Sequence, residues 1–238
     1  MTHRVNAIIT CMTDSERPFI RTAVDSVLNQ TMACGVALYV SDENDWIDSE
    51  IDGNADINLR RIPMMSTSVV RNLGVAESET DYVAFLDGDD FWLPNKIERQ
   101  IDALDRSDAT FAGGDHLLVD STDKVFAYGT AQIIPMPSCW LVDREFMLDY
   151  PFDESTGATQ DAKWWADTPT VSGRIRVPEF LIAYRVRDNS LSTGYSGKRK
   201  KEIASRVAKF PGMRPLLLGA SYMLHSVYKS TTYAAPSS

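Results

Sequence analysis

The chain has 238 residues, of which 44% are hydrophobic and 24% charged, with a formal net charge of −9. Its size suits one sizeable domain or a domain with an appendage, and its acidity argues against general nucleic-acid binding. Three cysteines (Cys11, Cys34, Cys139) without CxxC spacing argue against a disulfide framework or a zinc site and favour a reducing compartment.

Residues 5–10 form a short apolar run fit for a buried strand. The apolar core of the N-terminal stretch is too short for a signal peptide. No run approaches the roughly 20 apolar residues of a membrane span. The expected location is the cytoplasm, with the inner face of the membrane as a place of peripheral contact. A helix is predicted over 17–30, with Pro18 in its first turn and Ile20, Val24, Val27 and Leu28 on one face. Strands follow at 36–40 and 57–62, a helix at 66–76, a strand at 82–86 and a helix at 94–104 opened by Pro94.

This alternation predicts an α/β sandwich around a mainly parallel sheet. Chemistry in such sheets gathers beyond the carboxyl ends of the strands, and residues 10–13, 42–45 and 87–90 all lie just after such ends. Beyond residue 109, strands are expected at 110–119, 125–128, 132–135 and 180–186, and helices at 144–148, 160–167, 198–210 and 215–228. Residues 1–105 read as a nucleotide-binding half, 106–195 as an acceptor half on the same sheet, and 196–238 as a basic helical tail. Eight Lys or Arg stand against one Glu between Ser196 and Ser230, a charge of +7 against −16 on residues 1–195. A helical pair packed on the domain and a peripheral contact with anionic membrane both fit that tail.

The stretch "FLDGDDFW", residues 85–92, ends an apolar strand in three carboxylates. Asp87 and Asp89, two apart, face the same way in an extended ending, and Gly88 allows a tight turn. Hard oxygen ligands suit Mg²⁺ or Mn²⁺, with a diphosphate completing the shell. A turn with helix-capping aspartates is the plainer alternative, above all for Asp90. An EF-hand is out of register.

Residues 71–104, "RNLGVAESETDYVAFLDGDDFWLPNKIERQIDAL", closely resemble the core of family-2 inverting glycosyltransferases of the GT-A fold. "SVLNQT" (26–31) resembles the end of that family's first helix, and "YRVRDNSLS" (184–192) its closing strand and loop. The resemblance implies a three-layer α/β/α sandwich around a Rossmann-like mixed sheet, with a helical C-terminal tail. It implies that Asp87 and Asp89 hold Mn²⁺ or Mg²⁺ against the donor diphosphate, Asp89 the more direct. It places Asp42 against the nucleobase, Arg71 against the phosphates or the acidic loop, and Thr10 and Cys11 against the nucleotide through their backbone. Asp161, in "TGATQDAKWW", is the implied general base, with Asp153 and Glu154 as rivals. On local grounds Asp42 equally suits a capped turn, and Asp161 suits the dipole of its helix.

The chain departs from the family pattern in three places. Thr10, Cys11, Met12 and Thr13 stand for the usual Pro-Thr-Tyr-Asn, Gln160 for a Glu, and Arg187 for a His. Arg187 can contact the diphosphate but cannot ligate metal. No processive Gln-x-x-Arg-Trp motif follows the base. The expected activity is therefore a metal-dependent, non-processive inverting transfer of one sugar. The donor would be a nucleoside-diphosphate sugar, a UDP-sugar first, and the acceptor a glycan or lipid-linked hydroxyl. A sugar nucleotidyltransferase is disfavoured because "ITCMTDSERPF" has no glycine to cradle a triphosphate. A non-catalytic nucleotide- or sugar-binding scaffold is the third reading.

Overall fold

The structure, a computed structural model, describes residues 4–52, 54–156, 159–168, 173–187 and 195–234. Strands β1 (Val5–Cys11), β2 (Gly35–Ser41), β3 (Ile57–Ile62) and β4 (Tyr82–Asp87) alternate with helices α1 (Ile20–Leu28), α2 (Ile47–Ile51) and α3 (Thr67–Glu77). There follow β5 (Phe91–Trp92), α4 (Lys96–Leu104), β6 (Phe111–Val119), β7 (Val125–Gly129), β8 (Leu141–Asp143), α5 (Arg144–Asp149), α6 (Gln160–Asp167) and β9 (Arg174–Arg185). Helices α7 (Tyr195–Lys209) and α8 (Met213–Val227) come last. One sheet runs in the order β3-β2-β1-β4-β8-β6-β9-β5, with β7 on β6. Strands β3, β2, β1 and β4 are parallel, β8 is antiparallel to both its neighbours, and β9 is parallel to β6.

The two-residue period of the strands builds two cores at once. Val5, Ala7, Ile9 and Cys11 of β1, with Val36, Leu38 and Val40 of β2 and Ala84 and Leu86 of β4, meet α1, α2 and α4. The intervening Ile8, Ala37, Tyr39, Val83 and Phe85 meet α3, α5 and α6 on the other face. Strands buried on both faces are what a parallel sheet between helix layers requires. The expected three-layer α/β/α architecture is the one found.

Some elements differ from expectation, each for a local reason. Helix α1 starts at Ile20, because Asp14–Glu16 form a separate 3-10 turn with a Thr13–Glu16 capping box, and Pro18 precedes the helix. Residues 132–135 are not a strand: Pro135 and Pro137 cannot supply ladder donors, and Ile133 and Ile134 are exposed. Strand β9 begins well before residue 180. Pro178 lies within it, where the β6–β9 register slips at Gly114–Asp115, and the proline is absorbed there. Helix α2 follows the acidic loop at residues 42–45 in a stretch given no element by the sequence pattern, being only five residues long, and the short strands β5 and β8 carry too few residues to show a period.

The tail packs back on the sheet. Val207, Ile203, Ala204 and Leu217 close over Leu118, Phe126, Ala127 and Val186. Fully buried Asp115 gathers the Arg176 guanidinium and, at 3.0 Å, Nε2 of His225 on α8. Cys11, Cys34 and Cys139 are free and buried. Among the described residues, no helix is long and apolar enough to cross a membrane.

Candidate active site

Strand β1 has β2 on one side and β4 on the other, so the chain reverses direction across the sheet between β1 and β4. A crevice opens at the carboxyl ends of strands at such a switch point. Thr10 and Asp87 are register partners there, and the Thr10 hydroxyl donates to Asp87 Oδ1 at 3.3 Å. Gly88 N–H donates to Thr10 O at 2.9 Å and Asp90 N–H to Asp87 O at 3.0 Å, which closes the turn. A Cβ on Gly88 would lie 3.0 Å from Thr10 O and 3.2 Å from Ile20 Cδ1. Close approach to β1 is therefore what demands glycine.

The three carboxylates have three different partners. Asp87 Oδ1 accepts from Nη2 of Arg71, a buried arginine from the second turn of α3 that lies near the rings of Phe85 and Phe152. Asp89 Oδ2 accepts from Arg187 Nε at 2.7 Å and pairs with Arg187 Nη2, while Arg187 Nη1 donates to Ser15 O at 2.8 Å. Burial lifts Asp89 above the ordinary carboxylate range. The Arg187 charge opposes that lift and Asp87 adds to it. Asp90 is fully buried, accepting from Ser138 Oγ at 2.7 Å and from Arg185 N–H at 2.9 Å. Burial first, then Asp89 and Asp87, push its carboxyl well above the usual range.

Asp90 is no helix cap: it ties the acidic loop to β9 and to the turn at Pro137–Cys139. Arg71 meets the acidic loop, one of the two places expected for it, and Arg187 meets Asp89, so the chain itself supplies positive charge beside the cluster.

The remaining candidates line the same edge. Asp42 follows β2, exposed, its N–H donating to Ile62 O at 2.8 Å. The Cys11 side chain points into the core, which leaves the backbone as the part able to meet a ligand. Asp161 is half-buried in the first turn of α6. Its neighbour Gln160 donates to Thr67 Oγ1 at 2.6 Å, one turn from Arg71 on α3, so α6 begins beside the helix that supports Asp87. The rival acids are taken up locally. Asp153 binds Ser155 N–H and Oγ, and Glu154 accepts from Asn72 at 3.0 Å. Trp164 and Trp165 both pack inside, around Phe111 and Trp140. Residues 188–192 of the closing motif lie outside the described residues.

Four residues at the site escape sequence reasoning. Glu16 faces the acidic loop, and burial, with smaller contributions from Asp89 and Asp87, pushes it up to about 7 despite its bonds to Thr13. Its Thr-x-x-Glu spacing after β1 is a legible capping signal. Ser138 bridges Asp90 and the Asp87 backbone N–H, the latter at 3.3 Å, and nothing in its sequence marks it. Lys96 is fully buried beneath the loop. Lys200 comes from α7. Its half-buried ammonium lies 4.5 Å from the Tyr184 ring centroid, and burial lowers its pKa while Asp90 and Asp161 oppose that shift.

Among the described residues, no three His, Cys, Asp or Glu side chains gather into a metal cluster. Any cation here would rest on Asp87 and Asp89. The bonds from Thr10 and Arg71 fall on Asp87 Oδ1 and those from Arg187 on Asp89 Oδ2, so each carboxylate has a second oxygen to offer. Two hard ligands completed by phosphate oxygens and water fit a magnesium-type ion.

Known proteins share these features. The chain is 32% identical over 113 residues to the succinoglycan biosynthesis protein ExoW of Rhizobium meliloti, covering 42% of this chain and 35% of that one. It is 26% identical over 121 residues to the UDP-Glc:alpha-D-GlcNAc-diphosphoundecaprenol beta-1,3-glucosyltransferase WfgD of Escherichia coli, covering 48% and 47%. The matches thus span less than half the length of these relatives. The crystal structure of S. aureus TarS 1–349 in complex with UDP-GlcNAc superposes with a TM-score of 0.66 over 86% of this chain and 66% of that one, at 13% identity. The shared fold is GT-A. The family model described as Glycosyl transferase family 2 matches residues 7–158, well over half the chain and all of the FLDGDD loop, and the chain belongs to that family.

Proposed function

We propose that the chain is a metal-dependent, non-processive inverting glycosyltransferase. It moves one sugar from a nucleoside-diphosphate sugar to an acceptor hydroxyl in polysaccharide or glycoconjugate assembly. One observation supports the reading: Arg71, which meets Asp87, and Thr67, which meets Gln160, lie one turn apart on α3, so the first turn of α6 with Asp161 begins beside the helix that supports the acidic loop. A carboxylate pair for a diphosphate and a separate carboxylate for a hydroxyl are the two parts that a single displacement needs.

In that displacement Asp161 accepts the acceptor's proton as its oxygen bonds to the anomeric carbon. The bond from that carbon to the diphosphate breaks, and the leaving group departs on the opposite side with the electron pair. Asp42 and the backbone at Thr10–Cys11 bind the nucleoside, and Arg71 and Arg187 set permanent positive charge beside the phosphates. A divalent cation, Mn²⁺ or Mg²⁺, held through Asp87 and Asp89 would supply Lewis-acid stabilisation of the departing diphosphate.

A uridine nucleotide is the donor we infer, since TarS is crystallised with UDP-GlcNAc and WfgD is named for UDP-Glc. Thermal unfolding with UDP, GDP, dTDP or CMP, each with and without Mn²⁺, tests this. UDP is expected to raise the midpoint in the presence of the cation. Indifference to all four would overturn the proposal.

A further inference from the structure

Helix α8 leaves one face uncovered. Its inner side meets the sheet through Leu217, Ser221, whose hydroxyl accepts from Tyr128 N–H at 3.1 Å, and the buried His225. Met213, Leu216, Ala220, Met223, Leu224 and Val227 repeat at helical spacing within a stripe about 100° wide that flanks the packed side, its centre roughly 110° round the helix from Ser221. Four of them are more open than any large apolar side chain of the catalytic body: Leu216 is 76% exposed, Met223 68%, Leu224 71% and Val227 80%. Phe210, in the turn that joins α7 to α8, is exposed as well. An apolar face of this size on an otherwise charged chain marks a contact surface.

Charge identifies what covers it. Exposed Lys209 stands at the start of the stripe and exposed Lys229 at its end, and the exposed Lys198 and Arg199 lie on α7. The segment from Ser196 to Ser230 carries +7, whereas residues 1–195 carry −16. An anionic surface therefore repels the body and attracts the tail, which turns this face toward it. A second copy docked face to face would bring two +7 segments together.

We propose that the outer face of α8, flanked by these basic residues, lies on an anionic lipid bilayer, with the apolar stripe in the headgroup–acyl boundary. This is surface contact, not insertion, since α8 is 15 residues long. Use of the contact to reach a lipid-linked acceptor rests on the proposed transfer; the contact itself does not.

Flotation of the full chain with vesicles, in the absence of any donor, tests it independently of catalysis. Binding is expected to phosphatidylcholine vesicles containing roughly a third phosphatidylglycerol, and to weaken on the order of fivefold for each basic charge removed near the surface. The double variant Leu216→Glu/Leu224→Glu is expected to lose at least about tenfold in partition, since each buried Leu contributes roughly that factor. Both side chains are exposed, so the variant should keep the parent's circular dichroism and unfolding midpoint. No flotation with anionic vesicles, or flotation unchanged by the double variant, would overturn the proposal. So would a parent chain that sediments as a dimer and that the double variant turns into monomers, because the stripe would then be a subunit seam.

Discussion

Lys96→Met is expected to remove a pH dependence of stability that the fold builds in beneath the acidic loop. The Lys96 side chain is completely inaccessible to solvent. Its ammonium donates to Trp140 O at 3.3 Å and lies 4.1 Å from the Trp92 ring centroid, and among the described residues no carboxylate is seen to pair with it. Burial lowers its pKa from 10.5 to about 7, against a small opposing contribution from the Cys139 and Cys34 thiols. In the unfolded chain the same amine titrates at its ordinary value. The folded state therefore binds fewer protons, and the stability this residue allows is full above about pH 10.5 and falls as pH drops toward 7. Below about 7 both states are protonated and the dependence ends.

A shift of that size corresponds to about 4 kcal/mol at pH ~7 and about 2 kcal/mol at pH ~9. Methionine fills the stem volume but leaves Trp140 O unpaired, a cost of about 1–3 kcal/mol, so the change at neutral pH is a small difference between opposing effects. The clean readout is the double difference. Urea midpoints of parent and variant, measured at about pH 7 and about pH 9, should diverge by about 2 kcal/mol, the parent gaining on the variant as pH rises. Parallel pH profiles would refute the reasoning and mean that the Lys96 ammonium stays protonated in the fold throughout.

Three further expectations concern the crevice. Asp161→Asn should cut kcat by on the order of 10²–10⁴ while leaving UDP binding and the unfolding midpoint unchanged, since it removes only the proton acceptor; lost UDP binding would assign Asp161 to the donor instead. Arg187→Ala removes the cation paired with Asp89, so Mn²⁺ titration followed by electron paramagnetic resonance should give tighter ion binding, on the order of tenfold, together with slower transfer. Unchanged ion affinity would mean that guanidinium and metal do not compete for that carboxylate. Gly88→Ala must move a methyl away from Thr10 O, Ile20 and Cys11, and should cost about 1–2 kcal/mol by denaturant midpoint.

Legibility in the sequence followed the physics of each element. The parallel half reads well because β1, β2 and β4 are buried on both faces and appear as unbroken apolar runs bounded by acidic loops. The antiparallel insertion reads poorly. Strand β8 has three residues and β5 two, and each is fixed by partners far away in sequence: β4 and β6 for β8, β9 for β5. Asp87 and Asp89 were visible as a pair because a two-residue spacing is local. Arg71, 16 residues away, was legible as a partner of the acidic loop only through the family resemblance, and Arg187, 98 residues away, was expected at the diphosphate and not at Asp89. Lys200 was legible as one charge of a basic tail, and only the return of α7 over the sheet brings it within electrostatic reach of Asp90 and Asp161.

The three acids of FLDGDD therefore divide the electrostatic problem rather than share it. Asp90 works as a structural tie: it is buried, both its oxygens accept hydrogen bonds from Ser138 and the Arg185 N–H, and burial with its acidic neighbours raises its pKa. Asp87 is balanced by a buried arginine whose own helix fixes it, so that pair is permanent scaffold. Asp89 differs because Arg187 reaches it from the end of β9 and also holds Ser15 O, a contact across two loops rather than within one element. An ion pair at about 4 Å is worth roughly 4 kcal/mol at an effective dielectric near 20. A cation arriving alone must displace that attraction and gains little net charge balance. A cation arriving with a diphosphate faces a different sum, because the freed guanidinium can pair with phosphate oxygens and recover most of what it lost. On the proposed reading, ion and nucleotide should then bind together far better than either does alone, with Arg187, where the family's usual residue is His, linking the two; calorimetry of Mn²⁺ with and without UDP tests it, and equal ion affinity in both would refute it.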